Sequence, residues 1–136
     1  MDTEHCCRPY CGIDVVEVPR IAAALEHWGD RFRNRIYTPS ELERYGHKLL
    51  SLAARFAAKE AVMKALGTGV RGVGWKDIEI LPDARGKPTV RLHGRGLARA
   101  ELLNIRVWEI SLTHSRDTAI ASVVALAPGP IRGAGS

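Results

Sequence analysis

A chain of 136 residues, 46% hydrophobic and 26% charged, fits one globular domain that can bury a core without disulfides or metal. No apolar run approaches the ~20 residues of a membrane span, and the N-terminal stretch lacks the apolar centre of a signal peptide, so the pattern points to the cytoplasm. The formal net charge is +5, and Arg85, Lys87, Arg91, Arg95, Arg99 and Arg106 share their stretch with a single acid, Glu101. Such a balance suits an anionic partner, whether nucleotide, acidic protein or nucleic acid, although a solvated basic face would read the same way.

All three cysteines fall in "HCCRPYC". No pair among them has the two-residue gap of a zinc knuckle, and with adjacent Cys6 and Cys7 they read better as part of an untethered, reduced tail than as a metal site with His5; residues 1–10 are expected to be an extension outside the domain. "GIDVVEV" then has the β-branched content of a strand stopped by Pro19. "PRIAAALEHWG" reads as a short helix, with Pro19 at a first helical position and Gly29 as its stop. "RFRNR", residues 31–35, registers only as a second basic cluster. "TPSELERYG" starts a helix with Thr38 as N-cap and Glu41 three residues on, a capping box. A long helix follows from about Lys48 to Leu66, closed by Gly67. Beyond it the period switches to two: "WKDIEIL" and "PTVRLHG" form a hairpin across "PDARGK", "RGLARAELLN" is a short helix, and "IRVWEISLTHS" and "TAIASVVALA" are two further strands. Residues 127–136 are a Pro/Gly-rich tail. Helices first and antiparallel strands later predict a single α+β domain over residues 11–126.

The long helix is apolar on two sides. On a wheel of about 100° per residue, Leu52, Phe56, Met63 and Leu66 make one stripe, and Ala54, Ala57, Ala58, Ala61 and Ala65 make a second. A helix of this kind is covered on both sides. Arg55, Lys59, Glu60 and Lys64 interrupt it, and Lys59 falls within an apolar stripe, where its stem could snorkel. Glu60 precedes Lys64 by one turn, which a plain i,i+4 ion pair would explain. Asp14 sits mid-strand on the side of Val16, opposite Ile13, Val15 and Glu17; it belongs to a solvent edge or to a bound cation or donor. His114 closes its strand, where a surface role is the commoner one. The glycines of "GTGVRGVG" lie at a helix C-terminus, the end that repels anions, so they are no P-loop. By chemistry alone this is a basic α+β domain with two candidate carboxylate ligands, able at most to bind Mg²⁺ and a phosphorylated ligand.

"GIDVVEVPRI", "RFAAKEAVMKALGTG", "WKDIEI" with "GKP", and "SLTHS" with "AIASVV", in this order, resemble holo-(acyl-carrier-protein) synthase, the small homotrimeric class of 4′-phosphopantetheinyl transferases. The resemblance runs over residues 11–126. It implies transfer of the phosphopantetheine arm of coenzyme A to a serine of an apo acyl carrier protein for fatty acid biosynthesis, releasing adenosine 3′,5′-bisphosphate. It implies that Asp14 and Glu60 hold Mg²⁺, that Lys64 contacts the phosphates, and that Glu60 accepts the serine proton directly or through water. Arg55 and His114 match positions at the 3′-phosphate end of coenzyme A; Pro88 matches a position beside the nucleotide, and Gly67 belongs to the same cofactor-binding set. Arg20 matches a basic residue that docks the acidic carrier protein. The class binds its donor between subunits of a homotrimer, which would also give the charged residues of the long helix a seam to occupy.

The sequence departs from the family where Tyr10 replaces a glycine and where Lys48 alone stands for several basic residues. The same chemistry on a polyketide or peptide-synthesis carrier fits the motifs equally. A non-catalytic basic module for nucleic acid or an acidic protein would explain the arginines, but it gives Asp14 and Glu60 no task and shows no base-stacking aromatic array.

Overall fold

The computed structural model describes residues 7–129. β1 (Cys7–Glu17) leads directly into α1 (Val18–Trp28), followed by α2 (Asp30–Ile36), α3 (Pro39–Tyr45) and the long α4 (Leu49–Leu66). A 3-10 turn at Trp75–Asp77 then opens β2 (Ile78–Pro82), which is followed by β3 (Pro88–Leu92), α5 (Gly94–Leu102), β4 (Val107–His114) and β5 (Thr118–Pro128). The expected α+β architecture is present. β1, β5 and β4 form an antiparallel sheet in that order, and β2 pairs with β3 as a separate hairpin. No helix of the described residues is long and apolar enough to cross a membrane.

Alternation along the strands decides which side of the sheet meets α4. Asp14 pairs with Ala121, and Ala121 with Leu112; Val16 pairs with Ala119, and Ala119 with His114. These rows share the inner face, where Val16, Ala119, Ala121 and Val123 are buried beside Ala57, Ala58, Ala61 and Ala65 of α4. The alanine stripe is therefore the close-approach side of the helix. At Gly12 the approach is closest: a Cβ there would lie 2.0 Å from the Ala61 carbonyl oxygen, so only glycine fits. On the outer face Ile13, Val15, Val107 and Val124 stand exposed.

Caps account for the helix ends. Thr38 Oγ1 accepts from the Glu41 amide and Glu41 Oε1 from the Thr38 amide, so the predicted capping box is formed. α4 ends at Gly67, with φ 72°; Gly67 N–H bonds Lys64 O and Thr68 N–H bonds Met63 O, a Schellman closure. Arg99 of α5 adds Nε–H to the Leu66 carbonyl at 3.0 Å.

Two expectations change. The sequence puts an extension at residues 1–10 and a tail at 127–136, yet Cys7–Tyr10 pair with Ala125–Pro128; each end supplies the other's ladder partners, so both join the sheet. Residues 1–6 and 130–136 lie outside the described part. "RFRNR" is helical, as α2, because Phe32 packs on the core and Ile36 is buried despite the lack of a side-chain cap. Within one chain α4 is covered by β1 and β5 on one side and by Phe32, Tyr37 and Trp75 on the other.

Candidate active site

The strand–helix contact at Asp14 gathers four charged groups. Asp14 projects inward from β1 with its side chain 12% exposed, and its Oδ1 accepts from Lys64 Nζ at 2.9 Å. Lys64 Nζ also donates to the Ile13 carbonyl at 2.9 Å. The lysine thus pairs with the strand aspartate, not with Glu60 one turn away. The second oxygen, Asp14 Oδ2, is buried and has no hydrogen-bond partner among the described residues. Half-buried Glu60 faces the same place: burial first, and then the charge of Asp14, push its pKa up, while Lys64 and Arg20 pull it down. Arg20 reaches this cluster from the first turn of α1.

Two carboxylates whose charges oppose each other, one with a buried oxygen lacking any donor, form an arrangement that a hard divalent cation would relieve. The donor set fits Mg²⁺ as far as the chain supplies ligands. Among the described residues no third His, Cys, Asp or Glu joins them, so the remaining ligands of an octahedron would be oxygens of water or substrate.

Of the other expected site residues, Gly67 adjoins the cluster through its bond to the Lys64 carbonyl, and Arg55, Pro88 and His114 sit elsewhere in the fold. Arg55 lies on α4 one turn before Lys59, its guanidinium 3.8 Å over the ring of Tyr45. His114 ends β4 beside Ala119 and is exposed; Pro88 opens β3 opposite Pro82; Gly67 closes α4 next to Arg99. No hydrogen bond or ion pair among the described residues ties Arg55 or His114 to Asp14, Glu60 or Lys64, or to each other.

Sequence reasoning missed the partner of Lys59. Its ammonium is fully buried, 2.7 Å from Glu41 Oε1, and also donates to the Trp75 carbonyl at 3.1 Å and to the Ile78 carbonyl. Glu41 Oε2 accepts from the Ile80 amide. Thr38 Oγ1 donates to Glu79 Oε2, and Glu79 Oε1 meets His93 Nε2 at 3.1 Å. The lysine in an apolar stripe and the capping-box glutamate were both visible signals; only the fold shows that they meet.

Residues 10–122 match the family model described as the 4′-phosphopantetheinyl transferase superfamily. A holo-[acyl-carrier-protein] synthase of Solidesulfovibrio magneticus is 55% identical over 115 residues, 83% of this chain and 94% of that one; one of Herpetosiphon aurantiacus is 48% identical over 122 residues, 85% and 96% of the two chains. Among solved structures, holo-[acyl-carrier-protein] synthase of Helicobacter pylori in complex with coenzyme A superposes with a TM-score of 0.77 at 32% identity, covering 85% of this chain and 98% of that one. The enzyme of Neisseria meningitidis gives 0.79 at 38% identity, covering 85% and 96%. With this family match, these identities over most of the chain and the matching fold, the chain belongs to the holo-[acyl-carrier-protein] synthase family of 4′-phosphopantetheinyl transferases.

Proposed function

We propose that the protein moves the 4′-phosphopantetheine arm of coenzyme A to a serine hydroxyl of an apo acyl carrier protein, releasing adenosine 3′,5′-bisphosphate. The observation that carries this reading is the buried, unpartnered Oδ2 of Asp14 beside the charge-strained carboxylate of Glu60. The attacking serine oxygen must reach the β-phosphorus of a diphosphate, so the site must tolerate phosphate charge and take up a proton. Asp14 and Glu60 would hold Mg²⁺, which when bound neutralises the diphosphate. Lys64, exposed and held only by Asp14 and a carbonyl, can swing its ammonium to a phosphate oxygen. Glu60 is the group that accepts the serine proton at a carboxylate oxygen. Arg55, Gly67, Pro88 and His114 receive the nucleotide; that neither Arg55 nor His114 bonds the acidic cluster among the described residues supports a donor bound between subunits. The exposed row Ile13, Val15, Val107 and Val124 supports a homotrimer joined through this sheet face.

The carrier protein is the second substrate. Arg20 stands beside Glu60, and a groove of about 660 Å³ lies farther along the α1–α2 surface, where Trp28, Phe32, Phe56 and Trp75 supply apolar walls and Arg31 and Arg35 charge. An acidic partner with apolar side chains suits that combination. Intact-mass spectrometry of apo acyl carrier proteins incubated with the protein, coenzyme A and Mg²⁺ tests the reading. A gain of one phosphopantetheine mass, absent with chelator, is expected; no gain on any of several fatty acid, polyketide and peptide-synthesis carriers overturns it.

A further inference from the structure

Arg55 carries an unusual combination. Its Nε is buried and finds no acceptor, it makes no salt bridge among the described residues, and burial lowers its pKa against the pull of Tyr45 and Glu41. A partly buried cation without a carboxylate is costly, and here the compensation comes mainly from the Tyr45 side chain, whose ring lies 3.8 Å away, with the charge of Glu41 behind it. Stacking covers the flat face of a guanidinium, and with Nε buried it is the pair of terminal Nη groups that can grip a phosphate with two parallel bonds.

Tyr45 is itself held. It is the last residue of α3, its carbonyl accepts from the Lys48 amide at 2.9 Å, and the next residue, Gly46, bonds back to Leu42 and accepts from Arg33 Nε at 3.0 Å. The start of α3 is tied down through the Thr38–Glu41 box and the buried Lys59. The turn after α3 therefore holds the Tyr45 ring against the Arg55 guanidinium.

We propose that Tyr45 is a positioning residue for donor recognition: its ring fixes the plane of Arg55 so that the free guanidinium edge meets a phosphate monoester, which rests on the reading above of Arg55 as the contact for the 3′-phosphate of coenzyme A. Tyr45 touches no reacting atom. It sets the preference for a donor bearing that phosphate over one that lacks it.

The test compares KM for coenzyme A and for 3′-dephospho-coenzyme A in the full chain carrying Tyr45→Leu, Tyr45→Phe, Arg55→Lys or Tyr45→Leu with Arg55→Lys, each checked for its thermal midpoint. Tyr45→Leu is expected to raise KM for coenzyme A by about 5- to 20-fold, the size of a desolvated cation–π contact. KM for the dephospho donor and kcat should stay within about twofold, the scatter expected for a site that the change does not touch. Tyr45→Phe keeps the ring and retains the preference; Arg55→Lys loses it, and adding Tyr45→Leu changes nothing further. Equal effects of Tyr45→Leu on both donors, or none on either, overturn the positioning role while loss of preference in Arg55→Lys leaves the Arg55 reading intact. A preference unchanged in Arg55→Lys overturns both. Should turnover be absent, the same comparison by calorimetry with adenosine 3′,5′-bisphosphate and adenosine 5′-monophosphate decides by the same criteria, and if Tyr45→Leu is unfolded, loss of preference in Tyr45→Phe overturns the role of the ring.

Discussion

Helix α4 holds two lysine–carboxylate pairs little more than a turn apart, and they are built on opposite principles. Around Lys59 every charge is answered: Glu41 takes the ammonium on one oxygen and the Ile80 amide on the other, and two backbone carbonyls take the remaining ammonium protons. Around Lys64 the account stays open, with one oxygen of Asp14 unpartnered, Glu60 pushed toward its protonated form, and the ammonium more than half exposed. Burial is complete in the first and partial in the second. A closed network welds α3 and the start of β2 to the helix; an open one keeps binding capacity in reserve.

The sharpest way to break this contrast is Lys59→Met. It strands Glu41 as an uncompensated buried carboxylate, and breaking such a pair costs about 3–5 kcal/mol, read as a lower urea midpoint at unchanged m-value. Glu41→Gln together with Lys59→Met should recover part of that loss, because no charge then remains unpaired. Stability equal to wild type in Lys59→Met would mean that the network contributes nothing.

The same experiment on the open cluster should give the reverse pattern. Asp14→Asn or Glu60→Gln is expected to lower transfer by a factor of about 10²–10³, the scale of one lost electrostatic contact to a transition state, while changing stability by less than about 1 kcal/mol, as for partly exposed pairs. Excess Mg²⁺ should stabilise the wild type thermally and leave both variants unmoved. Were Asp14→Asn to destabilise as much as Lys59→Met, both clusters would be structural and the contrast would fall.

The open cluster was the more legible of the two in the sequence. Asp14 stands out because strand alternation aims a carboxylate inward, and Glu60 and Lys64 because they interrupt a helix apolar on two sides. The closed cluster joins residues whose meeting depends on tertiary geometry: Glu41 was already accounted for by a local capping box, and Lys59 by snorkelling. α2 escaped for a related reason, since a short, arginine-rich helix has too few turns to show a period and is held by Phe32 and Ile36 only once the core exists. The strand ends at Cys7–Tyr10 and Ala127–Pro128 looked like tails because local propensity cannot report that two chain ends pair with each other.

A smaller and more discriminating effect lies in the pH dependence of stability. Glu60 is raised above 4.5 in the folded protein, so between 4.5 and its folded pKa the native state binds more protons than the unfolded one, and stability falls as pH rises through that window. Glu79 is the opposite case. Burial opposes its charge, but bonds from Thr38 and His93 and the charge of His93 outweigh it, and its pKa lies below 4.5; its contribution is present above 4.5 and is lost as pH falls through the folded value. The two slopes therefore lie on opposite sides of 4.5, neither steeper than about 1.4 kcal/mol per pH unit for one proton. In urea titrations across pH, Glu60→Gln should remove the upper slope alone and Glu79→Gln the lower slope alone. Saturating Mg²⁺ should also remove the upper slope, and because a bound cation keeps that carboxylate ionised in the native state it should add to the lower slope as well. An upper slope that survives both Glu60→Gln and saturating Mg²⁺ would place the open character of the cluster on some group other than Glu60.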